Sequence, residues 1–135
     1  MKLKFALVLC LLSTVVFLSA FRFLSPTNDP WPVPEKYHNM KNPVKADAAS
    51  ISTGKSLWNK HCVSCHGKTG MGDGTKAATL KTHPGDFTKP EFKAETDGDI
   101  FYKTSEGRKD MPSFKKKISD EDDIWSLINY IRTIK

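Results

Sequence analysis

Cys62-Val63-Ser64-Cys65-His66 is the one stretch in which residue type and spacing together specify a reaction. It has the C-x-x-C-H pattern of covalent haem attachment. Two thiols add to the two vinyl groups of the porphyrin, and the adjoining histidine is carried beneath the ring to ligate iron. Two intervening residues let one turn of backbone span neighbouring vinyls, and a histidine held that close to the iron coordinates at little further loss of chain entropy. Three other chemistries use some of these residues. A thioredoxin-like redox pair shares C-x-x-C but belongs in a βαβ context and lacks the histidine. A structural zinc site needs four ligands, and His61, His66 and His83 offer no familiar spacing. A plain disulfide between Cys62 and Cys65 in an oxidising compartment is the third. The remaining cysteine, Cys10, lies in the apolar leader.

A haem bound through His66 leaves the other face of the iron to be filled. Met40, Met71, Met111 and His83 are the available side chains. Met71 follows His66 by five residues, a reach of about 17 Å at ~3.3–3.6 Å per residue, too short to round the porphyrin and return over the iron. Met111 has both the separation and the setting. It sits in Gly107-Arg108-Lys109-Asp110-Met111-Pro112, and Pro112 turns the residue before it away from helix. His83 would make a bis-histidine site of lower potential. Ligation by Met40 and an open or water-bound position complete the range of sixth-ligand arrangements.

Elements able to place these groups are helical. Residues 51–65 read as a first helix, with Ser50 or Ser52 as cap and Leu57, Trp58 and His61 on one face, so that the haem motif closes it. Residues 96–105 make a short second helix, opened by Thr96 or Asp97 and stopped by Gly107. The third, residues 119–134, opens at Ser119. Asp120, Glu121, Asp122 and Asp123 complement its positive end, Ile124, Leu127, Ile128, Ile131 and Ile134 form the apolar stripe, and Arg132 and Lys135 suit its negative end. No strand alternation longer than a few residues occurs, so the expected class is all-α.

Ahead of these helices, residues 25–50 carry five prolines and no hydrophobic period, which predicts an extended linker or strap. Trp31, Val33 and Tyr37 suit a strap lying against the domain; a disordered tether has the same proline content. Lys2 and Lys4 precede an apolar run over residues 5–21, the short end of a membrane-spanning length. Small-residue cleavage sites near Ser19 and Ala20 are poor. Residues 1–24 therefore read as a membrane anchor or signal peptide, with all that follows on the periplasmic side.

Length and charge narrow the function further. At 135 residues the chain holds one domain, residues 51–135, besides the leader and linker, and no large multidomain enzyme. Formal charge is +6, but without the leader's Lys2, Lys4 and Arg22 it is +3, so charge gives no indication of nucleic-acid binding. Outside the leader the chain is polar for its size, and a small polar domain needs an added staple. A porphyrin supplies that apolar bulk.

From residue 51 to the end the chain resembles the class I cytochromes c in their small bacterial monohaem form. The haem motif and Met111-Pro112 carry the likeness, with Gly54 and Trp58 before the motif, Gly67 and Gly70-Met71-Gly72-Asp73-Gly74 after it, and Leu127 to Ile131 near the end. The resemblance implies a three-to-four-helix fold around one covalent haem c, in which a first-helix glycine lets the last helix cross closely. Gly54, Trp58, Leu127 and Tyr130 match that crossing.

With Cys62, Cys65, His66 and Met111 engaged, iron has no free position, and outer-sphere electron transfer is the chemistry left. Leu80, Phe87, Phe92, Phe101 and Phe114 are the ring-packing candidates. Arg108, Lys109, Lys115, Lys116 and Lys117 flank Met111 and would steer acidic redox partners. The expected protein is an electron carrier between respiratory partners, held in the membrane through residues 5–24 if uncleaved. Two further readings use the same motif: a fixed cytochrome subunit of a larger oxidoreductase, and a peroxidase-like haem enzyme in which Met111 is off the iron.

Overall fold

A computed structural model describes residues 30–135, so the expected leader at residues 1–24 lies outside the described residues. The elements in chain order are α1 (Glu35–His38), α2 (Ala48–His61), α3 (Val63–His66), a 3-10 turn (Ala77–Thr79), α4 (Pro90–Lys93), α5 (Asp97–Glu106) and α6 (Glu121–Ile131). No strand occurs among the described residues. Arg108 and Met111 form an isolated bridge. The fold is all-α, as the periodicity requires.

The three longer helices begin where side chains satisfy their first amides. In α2 the Asp47 carboxylate accepts from Ala49 N and Ser50 N, and Ser50 Oγ accepts from Asp47 N, a capping box worth about 1 kcal/mol. The helix thus starts before the expected cap. Ser50 is the third helical residue of the box, because the carboxylate three positions earlier takes the cap site. At its other end Cys62 (φ −111°, ψ −37°) breaks the helix, and α3 begins as a separate turn. The expected single helix over residues 51–65 is two. In α5, Thr96 and Asp99 form a second box and Gly107, at φ 68°, stops the helix, as the sequence predicts. In α6 the cap is Asp120, whose side chain accepts from Asp122 N, and not Ser119.

α2 and α6 pack most extensively, and Gly54 is the reason they can. A Cβ on Gly54 would lie 2.1 Å from the carbonyl oxygen of Ser126 and 2.8 Å from Tyr130 Cβ. The two backbones therefore meet where one residue has no side chain. One turn later the buried Trp58 lies under Tyr130, ring centroids 6.0 Å apart. Ile124, Leu127, Ile128 and Ile131 fill the inner face of α6 and Ile100 and Phe101 that of α5. Phe101 stacks on Trp125 at 4.3 Å. Arg132 departs from its expected role at the negative end of α6. Its Nε reaches Asp97 Oδ1 at 2.8 Å, which ties the end of α6 to the start of α5.

Residues from Val33 onward belong to the same compact unit as the helices. The Tyr37 carbonyl oxygen sits over Gly98, where a Cβ would come within 1.8 Å, and the Tyr37 ring packs against Tyr102 at 4.8 Å. Asn42 Nδ2 donates to Asn129 Oδ1 (2.8 Å) and Trp125 O (3.1 Å). Buried Asn129 donates in turn to Val44 O, Lys45 O and Ser50 Oγ. Residues 33–47 thus form a strap pinned to α6 by reciprocal amides.

Gly54→Ala forces a methyl group into the α2–α6 contact and is expected to cost about 2–3 kcal/mol, the upper range of overpacking. Lys55→Ala, one exposed position along, is expected to stay within about 0.5 kcal/mol. Guanidinium unfolding of the two variants beside the parent measures both.

Candidate haem-attachment site

The haem motif is built as a turn whose carbonyls are taken by the chain that follows it. Cys62 N donates to Trp58 O at 2.8 Å, and Cys65 N and His66 N both donate to Cys62 O. Gly67 then takes φ 80°, open to glycine and strained for other residues, with Asp73 Oδ1 lying where its Cβ would be. That turn sends the chain back over the motif. Gly72 N reaches His66 O at 2.9 Å, Gly74 N reaches Cys65 O at 3.1 Å, and Lys76 N reaches Ser64 O at 2.7 Å. The carbonyls ending α3 are therefore satisfied by the following loop.

His66 is set by aromatic neighbours. Its ring centroid lies 4.7 Å from Phe87 and 5.8 Å from Trp58, and Phe87 stacks flat on Phe92 at 4.0 Å. Phe87 is placed by its own amide, which donates to Gly70 O at 2.7 Å. Burial, and next the charge of His83, lowers the His66 pKa from 6.5 to about 4. The imidazole is neutral at physiological pH, the form that ligates iron. Nδ1 is buried without a hydrogen-bond partner.

Cys62 and Cys65 are both free thiols. Burial, and next Cys65, pushes the Cys62 thiol up to about 12, so the fold disfavours a thiolate there. A neutral thioether suits that environment. Two unpaired thiols one turn apart, a neutral imidazole after the second and an aromatic wall behind it fit a covalently attached haem. Cys62, Cys65 and His66 would hold it.

Met111 sits in another segment. It exchanges backbone bonds with Arg108 (2.8 and 3.0 Å), is partly buried, and packs against the same hydrophobic core that Cys62 and Phe87 touch. Met71 is exposed at the tip of the loop after the motif. Met40 packs with the strap against the core, and His83 Nδ1 accepts from Gly85 N at 3.0 Å. Of the ring-packing candidates, Phe87 and Phe92 form the wall behind His66. Phe101 is buried against Trp125, Phe114 is buried with His61 at 5.8 Å, and Leu80 is half-buried after the 3-10 turn. The charge beside Met111 is less uniform than the sequence suggests. Glu106 pairs with Lys115 at 3.2 Å and raises its pKa, and Lys117 lies over the Phe114 ring.

Three contacts around the site go beyond what the sequence predicts: the Asp47 cap, the Asn42–Asn129 clamp and the place of Asp73 under Gly67. Asp47 preceding Ser50 by three residues is a legible capping signal. The other two join residues far apart in the sequence or brought together by loop geometry, and carry no local pattern.

A helical fold with an early glycine crossing, a C-x-x-C-H turn and an aromatic-walled histidine defines a class I c-type cytochrome, a haem-binding electron-transfer domain. The family model described as cytochrome C oxidase, cbb3-type, subunit III matches residues 49–131, more than half the chain, and the chain belongs to that family. Haem c is thus its covalent cofactor, and when bound it supplies a one-electron iron couple. Among solved structures, the chain is similar to part of the reducing HAO-like protein complex of Kuenenia stuttgartiensis, with 28% identity and a TM-score of 0.62. The match covers 80% of this chain and 52% of the other, so this chain spans about half the length of that neighbour. No curated protein sequence matches.

Replacing both Cys62 and Cys65 with alanine removes every thioether, and the pigment is then expected to pass into acidified organic solvent. Each single variant keeps one link and retains it. Native mass and solvent extraction of the three variants provide the check.

Proposed function

We propose that the protein carries single electrons between respiratory partners outside the cytoplasm, through a haem iron ligated by His66 Nε2 and Met111 Sδ. The observation that carries this reading is the half-buried, neutral His66 on the thiol turn, with Met111 in a separate segment on the same core. A histidine–thioether pair fills both axial positions. Substrate then has no site on the metal, and a peroxidase-like reaction has no place to begin. Met111 as ligand favours ferrous iron and raises the potential, while burial of the ring disfavours the additional ferric charge. Keeping both ligands through the cycle keeps reorganisation small.

The positive side chains Lys116 and Lys117, with Arg108 and Lys109 across the methionine loop, support docking of partners with acidic surfaces. Residues 5–24, if uncleaved, would hold the domain at the periplasmic face of the inner membrane. A second reading, a fixed subunit of a larger oxidoreductase, is favoured by the family's description as an oxidase subunit and by the neighbour's membership of a complex. Co-purification from detergent-solubilised membranes separates them. A free carrier elutes alone, and a fixed subunit elutes with its partners.

Two outcomes follow from this reading. Met111→Ala is expected to abolish the weak near-infrared band of thioether-to-ferric-iron ligation and lower the midpoint potential with haem still attached; a band that survives rejects Met111 as ligand. The bimolecular rate with an acidic redox partner is expected to fall about tenfold or more from 10 to 200 mM salt. Lys116→Glu combined with Lys117→Glu flattens that profile. A profile already flat in the parent removes the steering role.

A further inference from the structure

Asp110 precedes Met111, and its side chain reaches out of its own loop. Oδ2 accepts a 2.8 Å hydrogen bond from the backbone N–H of Thr82, 28 residues away in the chain. Thr82 opens the segment that runs through His83 and Gly85 to Phe87. That segment walls His66: the Phe87 ring packs on the imidazole, and the His83 ring and Gly85 carbonyl crowd Gly72, whose N–H donates to His66 O. One carboxylate oxygen thereby joins the loop bearing Met111 to the loops assembled around His66.

The rest of the methionine loop is tied elsewhere. Arg108 and Met111 close a four-residue reversal that puts Lys109 at φ 54°, a conformation few non-glycine residues take. Ser113 Oγ donates to Ser105 O, and Phe114 N to Thr104 O, which fixes the base of the loop to the end of α5. Asp110 fixes its tip to the His66 wall. The residue next to Asp110 in the chain is Met111 itself.

We propose that Asp110 is a positioning residue for the sixth ligand: its bond to Thr82 holds the loop tip so that the Met111 sulfur stays over iron. The proposal rests on Met111 being that ligand. An external ligand binds ferric iron only in the fraction of molecules from which the thioether has left, so its apparent affinity reports that fraction.

The test uses the full-length ferric holoprotein with imidazole as probe. In Asp110→Ala, imidazole is expected to bind about tenfold more tightly, equivalent to about 1.4 kcal/mol, and the near-infrared band weakens while the mass shows haem still attached. Asp110→Asn keeps an acceptor oxygen and is expected to return the affinity to within about threefold of the parent. Thr82→Pro removes the donor from the other side and reproduces the alanine result. Imidazole affinity unchanged in both Asp110→Ala and Thr82→Pro overturns the proposal, even if both melt earlier, because a merely structural bond lowers stability without freeing the ligand. Asp110→Asn behaving like Asp110→Ala also overturns it, since charge and not the bond would then be acting. If the band survives Met111→Ala, the axial assignment itself fails and the positioning role with it. If it vanishes there while imidazole ignores Asp110, the positioning role alone is wrong.

Discussion

At position 54 there is no room for a side chain, and the arrangement of the helices follows from that. A Cβ would stand 2.1 Å from the Ser126 carbonyl oxygen, so α2 and α6 cross with backbone against backbone. The crossing fixes the depth of α2. Trp58, one turn on, is driven into the core beneath Tyr130 and forms one side of the slot holding the His66 ring. On the other helix, the same contact brings Asn129 opposite Ser50 Oγ at 3.2 Å, where it also receives the strap. A small domain with little apolar surface thus uses one close approach to place His66 and to anchor the segment that precedes the helices.

Burial at the thiol turn acts consistently on both kinds of side chain. Charged forms are disfavoured, which keeps His66 neutral and Cys62 a thiol. The species that suit this pocket are a neutral imidazole on iron and neutral thioethers at the cysteines, which is the state that covalent haem attachment produces. Its apolar ring supplies the core volume that a chain of this composition lacks.

What the sequence discloses, and what it does not, divides by range. The haem motif, the Thr96 cap and the stripe of α6 are legible because each is a pattern within a few residues or a fixed period, and the glycine crossing is legible through the family resemblance. Ser119 and Ser50 are caps by residue type alone, and each loses to a neighbouring aspartate. A carboxylate both accepts from the first amides and complements the dipole. Arg132 reads locally as a helix-end cation, yet it finds Asp97, 35 residues away. The strap is legible only as proline and scattered aromatics. Its clamp pairs Asn42 with Asn129 across 87 positions, a relation no single-chain periodicity encodes.

The segments that bear His66 and Met111 are held by different means. His66 lies in a turn whose carbonyls are bonded by the following loop and whose ring is walled by Trp58 and Phe87, so its position is over-determined by backbone bonds within about ten residues. Met111 lies in a short reversal with a non-glycine residue in the left-handed region, half-buried and tied to α5 at its base. Strain of that kind persists only where surrounding contacts enforce it. The methionine loop therefore depends on contacts from outside itself, the Ser105 and Thr104 carbonyls at its base and the Thr82 amide at its tip, whereas the thiol turn is closed by the chain that directly follows it.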